Sequence, residues 1–345
     1  MSNTIDKKGT DWSEVERLVA SVAKDQKPAK LKLLNEILKA ALKLARDNPG
    51  TLNLKISASV LKELRFSFKM FAPHRNNPKI TMFGSARVPA DTPLYKLAKD
   101  FAAEAVKRDF MVITGGGPGI MAAGNEGAAG DKGFGLNIRL PFEQDPNPFI
   151  DSAQRLIHYK YFFTRKLFLV KEAAAFAFFP GGFGTFDEAF EVLTLIQTGK
   201  TTLIPVALVE PKGFGFWEGF NEFVDKCLAK KKFINATDVN LYKVFHSPKL
   251  ALDHIQRFYK NYHSMRFVRD QAVIRLKNEL SPKTLEKLGK KFANLSMDRQ
   301  FLSTRPLVEE ENEPELSHLP RLVFKFDRQS FGNLRGLIDF INDNS

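Results

Sequence analysis

The sequence predicts an α/β fold: a doubly wound parallel sheet, preceded by a helical N-terminal extension and followed by a small C-terminal extension. Three observations carry this. Between about residues 76 and 262, short apolar runs alternate with stretches of helical periodicity. Three of those runs or their ends pass through glycine turns into helices, as strands of a parallel sheet do. The first 75 residues show only apolar spacings of three and four, the pattern of helices.

Taken in order, helices are expected near 12–24, 29–47 and 56–71, broken at Asn48-Pro49-Gly50 and at Pro73. KITMFG (79–84) reads as a strand, followed by a helix from Pro93 to Arg108. FMVITGGG (110–117) gives a strand and a glycine turn, with a helix from Pro118 to Ala129. GFGLNIRL (133–140) is a third strand, and a proline-rich loop then leads to a helix over 159–172. AAAFAFF (173–179) and LIPVALV (203–209) are wholly apolar strands, each followed by a helix, at 185–199 and 215–229. Beyond 262, helices are expected at 268–279 and 282–294, then an acidic patch at Glu309-Glu310-Glu311, the apolar run LVFKF (322–326) and a last short helix. The expected organisation is a helical extension (1–75), the α/β domain (76–262) and a C-terminal extension (263–345).

The composition is that of an ordinary soluble chain, 345 residues with 43% hydrophobic and 26% charged. No run of about 18 apolar residues is present to span a bilayer, and the N-terminus shows no signal-peptide pattern. With a single cysteine, Cys227, no internal disulfide framework is available, which fits a reducing cytoplasm. Lys+Arg 52 against Asp+Glu 39 leaves a net charge of +13. Such a balance favours phosphate-bearing partners, but the lysines are spread along the chain and no basic run is interleaved with base-stacking aromatics. Nothing beyond charge points to nucleic acid. The 32 phenylalanines fall mostly in apolar strands and helices and read as core.

In an open parallel sheet, ligands bind outside the carboxyl ends of the strands. Three turns fall there: Gly84-Ser85, Gly115-Gly116-Gly117-Pro118-Gly119 and Pro180-Gly181-Gly182-Phe183-Gly184-Thr185. Glycine permits close approach of an anion to the backbone, and the helix N-terminus turns its N–H groups toward it. A phosphate is the natural guest. Ile120 stands where a dinucleotide fingerprint needs its third glycine, and no GxxxxGK[ST] string exists. In PGGFGTFDE (180–188), Thr185 and Glu188 have capping-box spacing, and read alone the string favours that structural role.

PGGFGTFDE, with FFTRK (162–166) and GGGPGIMAAGNEGA (115–128) before it, resembles the Lonely Guy (LOG) family of phosphoribohydrolases, many of them long labelled lysine decarboxylases. The family pattern PGGxGTxxE is met at Pro180, Gly181, Gly182, Gly184, Thr185 and Glu188, and its Arg-Lys pair at Arg165 and Lys166. The following helix EVLTLIQTGK (191–200) and the turn FGSAR (83–87) are similar as well. The resemblance covers about 78–230. It implies a Rossmann-like core and hydrolysis of a nucleoside 5′-monophosphate, AMP-like or a cytokinin nucleotide, to free base and ribose 5-phosphate. It also implies a dimer or higher oligomer, since the family's pockets are completed across a subunit contact.

On that resemblance, Glu188 and Arg165 are the expected catalytic residues. N-glycoside cleavage passes through an oxocarbenium-like sugar, which needs a carboxylate beside the developing charge and help for the departing base. Gly181, Gly182, Gly184 and Thr185 are expected to hold the 5′-phosphate. Gly84, Ser85, Gly116, Gly117, Glu143, Lys166 and Thr194 are further candidates for substrate contact. Each has a plain rival role: turn geometry for Ser85, a loop salt bridge for Glu143, a solvated helix start for Lys166, and core packing for Thr194 and Gln197. Asn125 and Glu126 are expected to be structural, and Cys227 to pack. No cofactor or metal is required, and the six histidines form no ligand-spaced pair. The alternative function is a non-catalytic nucleotide-sensing module that uses the same phosphate loops.

Overall fold

In the computed structural model, residues 12–140, 145–150 and 154–345 are described. Seven short strands lie parallel: β1 (Lys79–Phe83), β2 (Met111–Thr114), β3 (Gly133–Ile138), β4 (Leu156–Tyr159), β5 (Ala175–Phe178), β6 (Val206–Val209) and β7 (Tyr242–Phe245). Their order is β4-β3-β2-β1-β5-β6-β7, so the chain winds outward from β1 in one direction and then from β5 in the other. The switch between β1 and β5 lies at the centre of the sheet, where Thr81 pairs with Ile113 on one side and Phe176 on the other. This is the Rossmann-like α/β architecture.

Both faces of the sheet are covered, which is why its central strands are largely apolar on both sides rather than alternating. On one face Ile80, Met82 and Val112 pack under α4 (Pro93–Lys107), α5 (Ile120–Gly127) and α9 (Pro248–Phe258). On the other, Phe83, Ile113, Phe134 and Phe178 pack under the end of α3 (Thr51–Phe71), α6 (Phe162–Lys171), α7 (Phe183–Gln197) and α8 (Phe216–Phe223). Starts are locally encoded: Thr92 caps α4 by accepting the Tyr95 N–H at 3.2 Å, with Pro93 at its first position. Helix α8 runs into a π-helical stretch, Val224–Ala229.

Contacts divide the chain after Lys62. The first unit holds α1 (Ser13–Val22), α2 (Pro28–Arg46) and the start of α3. There Glu16 accepts from Lys39 at 2.7 Å, and Lys43 lies over the Trp12 ring. Everything from Glu63 onward forms the second unit. The expected divisions after residues 75 and 262 both fall inside it.

The C-terminal region differs from the expectation. Residues 268–279 are not a helix: β8 (Tyr262–Val268) and β9 (Gln271–Leu276) form an antiparallel hairpin, turning at Arg269 with φ 54°. With β11 (Arg321–Lys325) and β10 (Leu302–Thr304) they make a four-stranded sheet ordered β10-β11-β9-β8. Met265, Val268, Ala272 and Leu276 happen to stand three and four apart, which mimics a helical face, and only pairing with a distant strand resolves the ambiguity. Similarly, the helix expected from 159 begins at Phe162, because 156–159 are claimed as the edge strand β4 by pairing with β3. Strand β7 and helix α9 were not anticipated.

Helices α10 (Pro282–Lys291) and α11 (Phe331–Asp343) complete the fold, and α11 is an integral part of the core, burying Leu334, Leu337, Ile338 and Ile341. Buried Asn342 staples it to the turn before β8: its Oδ1 accepts the N–H groups of Asn261 (2.8 Å) and Tyr262 (3.0 Å), and its Nδ2 donates to the Phe258 carbonyl at 2.6 Å. Asn342→Ala leaves three buried backbone groups without partners, and is expected to lower the unfolding free energy by about 2–4 kcal/mol in urea titrations.

Candidate active site

The loops leaving β1, β2 and β5 are laced together at the switch point. Ser85 N–H donates to the Pro180 carbonyl at 3.1 Å, and Ile120 N–H to the Ser85 carbonyl at 3.0 Å. Two glycines permit this approach. At Gly119, with φ 64°, a Cβ would stand 2.4 Å from the Ser85 carbonyl oxygen, and at Gly181 one would stand 2.8 Å from the Ser85 nitrogen. The result is a cleft of about 720 Å³ at the carboxyl ends of the strands, within the range of sites for small organic ligands.

Its floor is the N-terminus of α7. Gly182 is the N-cap, and its carbonyl accepts from Thr185 at 3.0 Å and Phe186 at 3.2 Å, while the earlier N–H groups of Phe183 and Gly184 have no intrahelical acceptor. This corrects the capping-box reading. Thr185 is inside the first turn, no side chain caps the helix, and Glu188 does not reach back to the backbone. Freed of that duty, Glu188 lines the cleft with Arg165 of α6.

The pair is nearly dry, with side chains 5% and 14% exposed, and the closest approach, Arg165 Nη2 to Glu188 Oε1, is 4.0 Å. Neither group is saturated: Glu188 Oε2 and Arg165 Nε are buried without hydrogen-bond partners. Burial pushes the Glu188 carboxyl up to about 7, against the opposing pull of Lys166 and Arg165. Burial likewise lowers the Arg165 guanidinium, with Glu188 opposing. Arg165 also lies over the Phe162 ring, 5.0 Å from its centroid.

Of the sequence-derived candidates, Gly84, Ser85, Gly117, Arg165, Gly182, Gly184, Thr185 and Glu188 line the cleft. Gly181 supports it from behind, against Thr185 and Ser85. Gly116 is a turn residue whose N–H donates to Thr114 Oγ1 at 3.0 Å. Lys166 is held by Asp187 and Glu191, both at 2.7 Å, and ties α6 to α7. Thr194 lies further along α7, on a separate small recess. Glu143 lies outside the described residues. Asn125 bonds Thr114, the Phe134 carbonyl and Asn147, and Glu126 bonds Tyr95 and Lys99. Cys227 is exposed rather than packed.

Among the lining residues that escaped the sequence reading are Arg87, Met121, Asn137 and Phe162. Arg87 stands at the end of the FGSAR turn and Phe162 at the start of FFTRK, so motif context held both. Asn137 gives no local signal, since a lone polar residue in a strand reads as its exposed side. The phenylalanines also divide: many are core, but Phe162 and Phe183 are exposed on this cleft, Phe183 at 95%. Among the described residues, no three His, Cys, Asp or Glu side chains group as metal ligands, and no helix is long and apolar enough to cross a membrane.

A doubly wound sheet with a glycine-floored cleft at its switch point and one buried Arg–Glu pair defines a Rossmann-like protein with a site suited to a phosphorylated small molecule. The family model described as "Possible lysine decarboxylase" matches residues 112–255. That match lies within the α/β core, which is similar to the family. A curated relative from Arabidopsis thaliana, cytokinin riboside 5′-monophosphate phosphoribohydrolase LOG2, is 29% identical over 161 residues, covering 46% of this chain and 73% of the relative. Solved structures similar in part include the molybdenum cofactor carrier protein of Chlamydomonas reinhardtii (18% identity, TM-score 0.38, covering 53% of this chain and 98% of that one). Another is the molybdenum cofactor binding protein of Rippkaea orientalis (19%, 0.38, 52% and 96%).

The electrostatics of the pair are testable without a ligand. With glutamate carboxyls labelled with carbon-13, one NMR titration near pH 7 is expected, absent in Glu188→Gln. Because Arg165 pulls the Glu188 value down, Arg165→Met is expected to move that titration upward; a downward or null shift contradicts the pairing.

Proposed function

We propose that this protein hydrolyses the N-glycosidic bond of a nucleoside 5′-monophosphate, releasing the free base and ribose 5-phosphate. The observation that carries the reading is the unsaturated, buried Glu188 beside Arg165 on the wall of a cleft floored by a helix N-terminus. The phosphoribohydrolase named among its relatives supports it.

In this reading the 5′-phosphate rests on the backbone N–H groups of Phe183 and Gly184, where the helix dipole favours an anion, with Arg87 as a further cation on the cleft. Holding that remote group fixes the ribose and uses binding energy to orient the scissile bond. The C1′–N bond breaks with its electron pair leaving on the base, and water adds to C1′. The Glu188 carboxylate stabilises the cationic sugar and takes the proton of the attacking water, while the base acquires a proton as it departs. Arg165, pre-aimed in a dry setting, stabilises negative charge on the departing base.

Decarboxylation, which the family model's description names, has weaker support. Pyridoxal phosphate chemistry needs a lysine amine at the site, and no lysine is among the described residues lining the cleft. Lys166 is bound up with Asp187 and Glu191. The exposed Phe162 and Phe183 support a subunit contact beside the cleft, in a dimer or larger oligomer.

Product analysis tests the reading. Protein mixed with AMP, GMP, CMP, UMP, IMP or isopentenyl-AMP is expected to release free base and ribose 5-phosphate from at least one of them. Binding without release points to a nucleotide sensor instead. Glu188→Gln is expected to reduce turnover by about 10²–10⁴-fold while nucleotide binding persists. Arg165→Ala is expected to cost about 10²–10³-fold in kcat with little change in thermal midpoint. Since only ionised Glu188 accepts a proton, and its carboxyl sits at about 7, kcat/KM is expected to rise with pH and level off above that value; a profile flat from 5.5 to 8.5 contradicts the assignment.

A further inference from the structure

The helix that carries Glu188 on its second turn borders a second recess at its other end. This recess, of about 90 Å³, lies between the later turns of α7, helix α8, the π-helical stretch and the segment 234–242. Its walls are apolar and aromatic, including Phe190, Phe220, Leu228 and Tyr242. π-Helical segments tend to occur at functional sites, and Leu228 brings this one onto the recess.

One carboxylate lines it, that of Asp238, which is 5% exposed. Its Oδ2 accepts from Gln197 Nε2 at 2.5 Å and from the Asn235 N–H at 2.9 Å. Its Oδ1 is buried with no partner. Both donors are neutral, and no Lys, Arg or His is among the lining residues. A buried carboxylate is ordinarily matched by a cation; here a residue that lines an apolar recess keeps one buried oxygen without a partner instead.

We propose that this recess is a binding site for a small organic cation, an ammonium or amidinium on a short apolar body. The carboxylate supplies a charge-assisted hydrogen bond at Oδ1, and the rings of Phe190, Phe220 and Tyr242 supply faces that attract a cation. A nucleotide does not fit the description, because the volume is far below the roughly 300 Å³ of sites for drug-sized ligands and no cation is present to meet a phosphate. A bare metal ion does not fit either, since Asp238 has no companion ligands among the described residues. The site is independent of the hydrolase reading, and its test is binding alone.

Isobutylammonium chloride and isobutanol, equal in size and differing in charge, are titrated against the full chain by saturation-transfer NMR. The amine is expected to saturate, at least tenfold tighter than the alcohol. Asp238→Asn keeps an oxygen acceptor but removes the charge, and is expected to abolish the preference. Leu228→Trp, which fills the recess without touching Asp238, is expected to abolish binding of both probes. Excess AMP is expected to leave amine binding unchanged. Near-UV circular dichroism checks that each variant is folded; if Asp238→Asn is not, the amine-to-alcohol ratio and the Leu228→Trp result decide. Equal affinity for amine and alcohol, no amine binding, binding that survives Leu228→Trp, or competition by AMP each overturns the proposal.

Discussion

Two hydrogen bonds between loops, Ser85 N–H to the Pro180 carbonyl and Ile120 N–H to the Ser85 carbonyl, hold together the ends of three strands that are far apart in sequence. They are short-range and directional, so the backbones must nearly touch, and a side chain at Gly119 or Gly181 would prevent it. From that contact follows the position of the α7 N-terminus and hence of Glu188. The doubly wound order of the sheet places β1 beside β5; the lacing turns that adjacency into a cleft with a fixed floor.

The rest of the polar interior shows how unusual the Arg165–Glu188 pair is. Several other buried charges are saturated: Arg275 and Arg321 both bond Glu310, with Glu313 and backbone carbonyls completing the set. Lys166 lies between two carboxylates, and Arg335 reaches both Asp339 and His254. At the cleft, a carboxylate and a guanidinium stand 4.0 Å apart, each with an unfilled hydrogen-bonding atom. Leaving buried polar groups unsatisfied costs free energy, and a ligand that fills those positions recovers it. The same physical signature, a buried carboxylate oxygen without a partner on a residue that lines a recess, recurs at Asp238, beside the far end of α7.

Much of the architecture was legible in the residues because its signals are local. A strand buried on both faces is apolar at nearly every position, as in AFAF and, apart from Thr81, ITMF, and a strand that turns at once into a helix must carry small residues there. The glycines of PGGFGTFDE mark a phosphate floor by themselves, whereas Glu188 stood out only through the family resemblance, since the string read alone favoured a helix cap. The capping-box reading of its Thr185 and Glu188 failed because Gly182 starts the helix earlier than the side-chain chemistry suggested. The hairpin of β8 and β9 was misread because its buried positions fit a helical period equally well. Strands β4 and β7, each four residues at a sheet edge, carry too little pattern to stand out.

What the chain alone specifies is therefore the sheet's apolar strands, the glycine turns and, through the family resemblance, Arg165 and Glu188 as the pair at the cleft. What only the folded molecule decides is which residues share an environment. Asn137 and Arg87 meet the α7 N-terminus from strands and loops far away in sequence. Lys166, adjacent to Arg165 in the same motif, is turned to the opposite duty by Asp187 and Glu191. The physical reason is that desolvation and pairing depend on the total surroundings of a group. Neighbours along the chain supply only a small part of those surroundings, so a carboxyl raised to about 7 is a property of the packed cleft and has no signature in the order of residues.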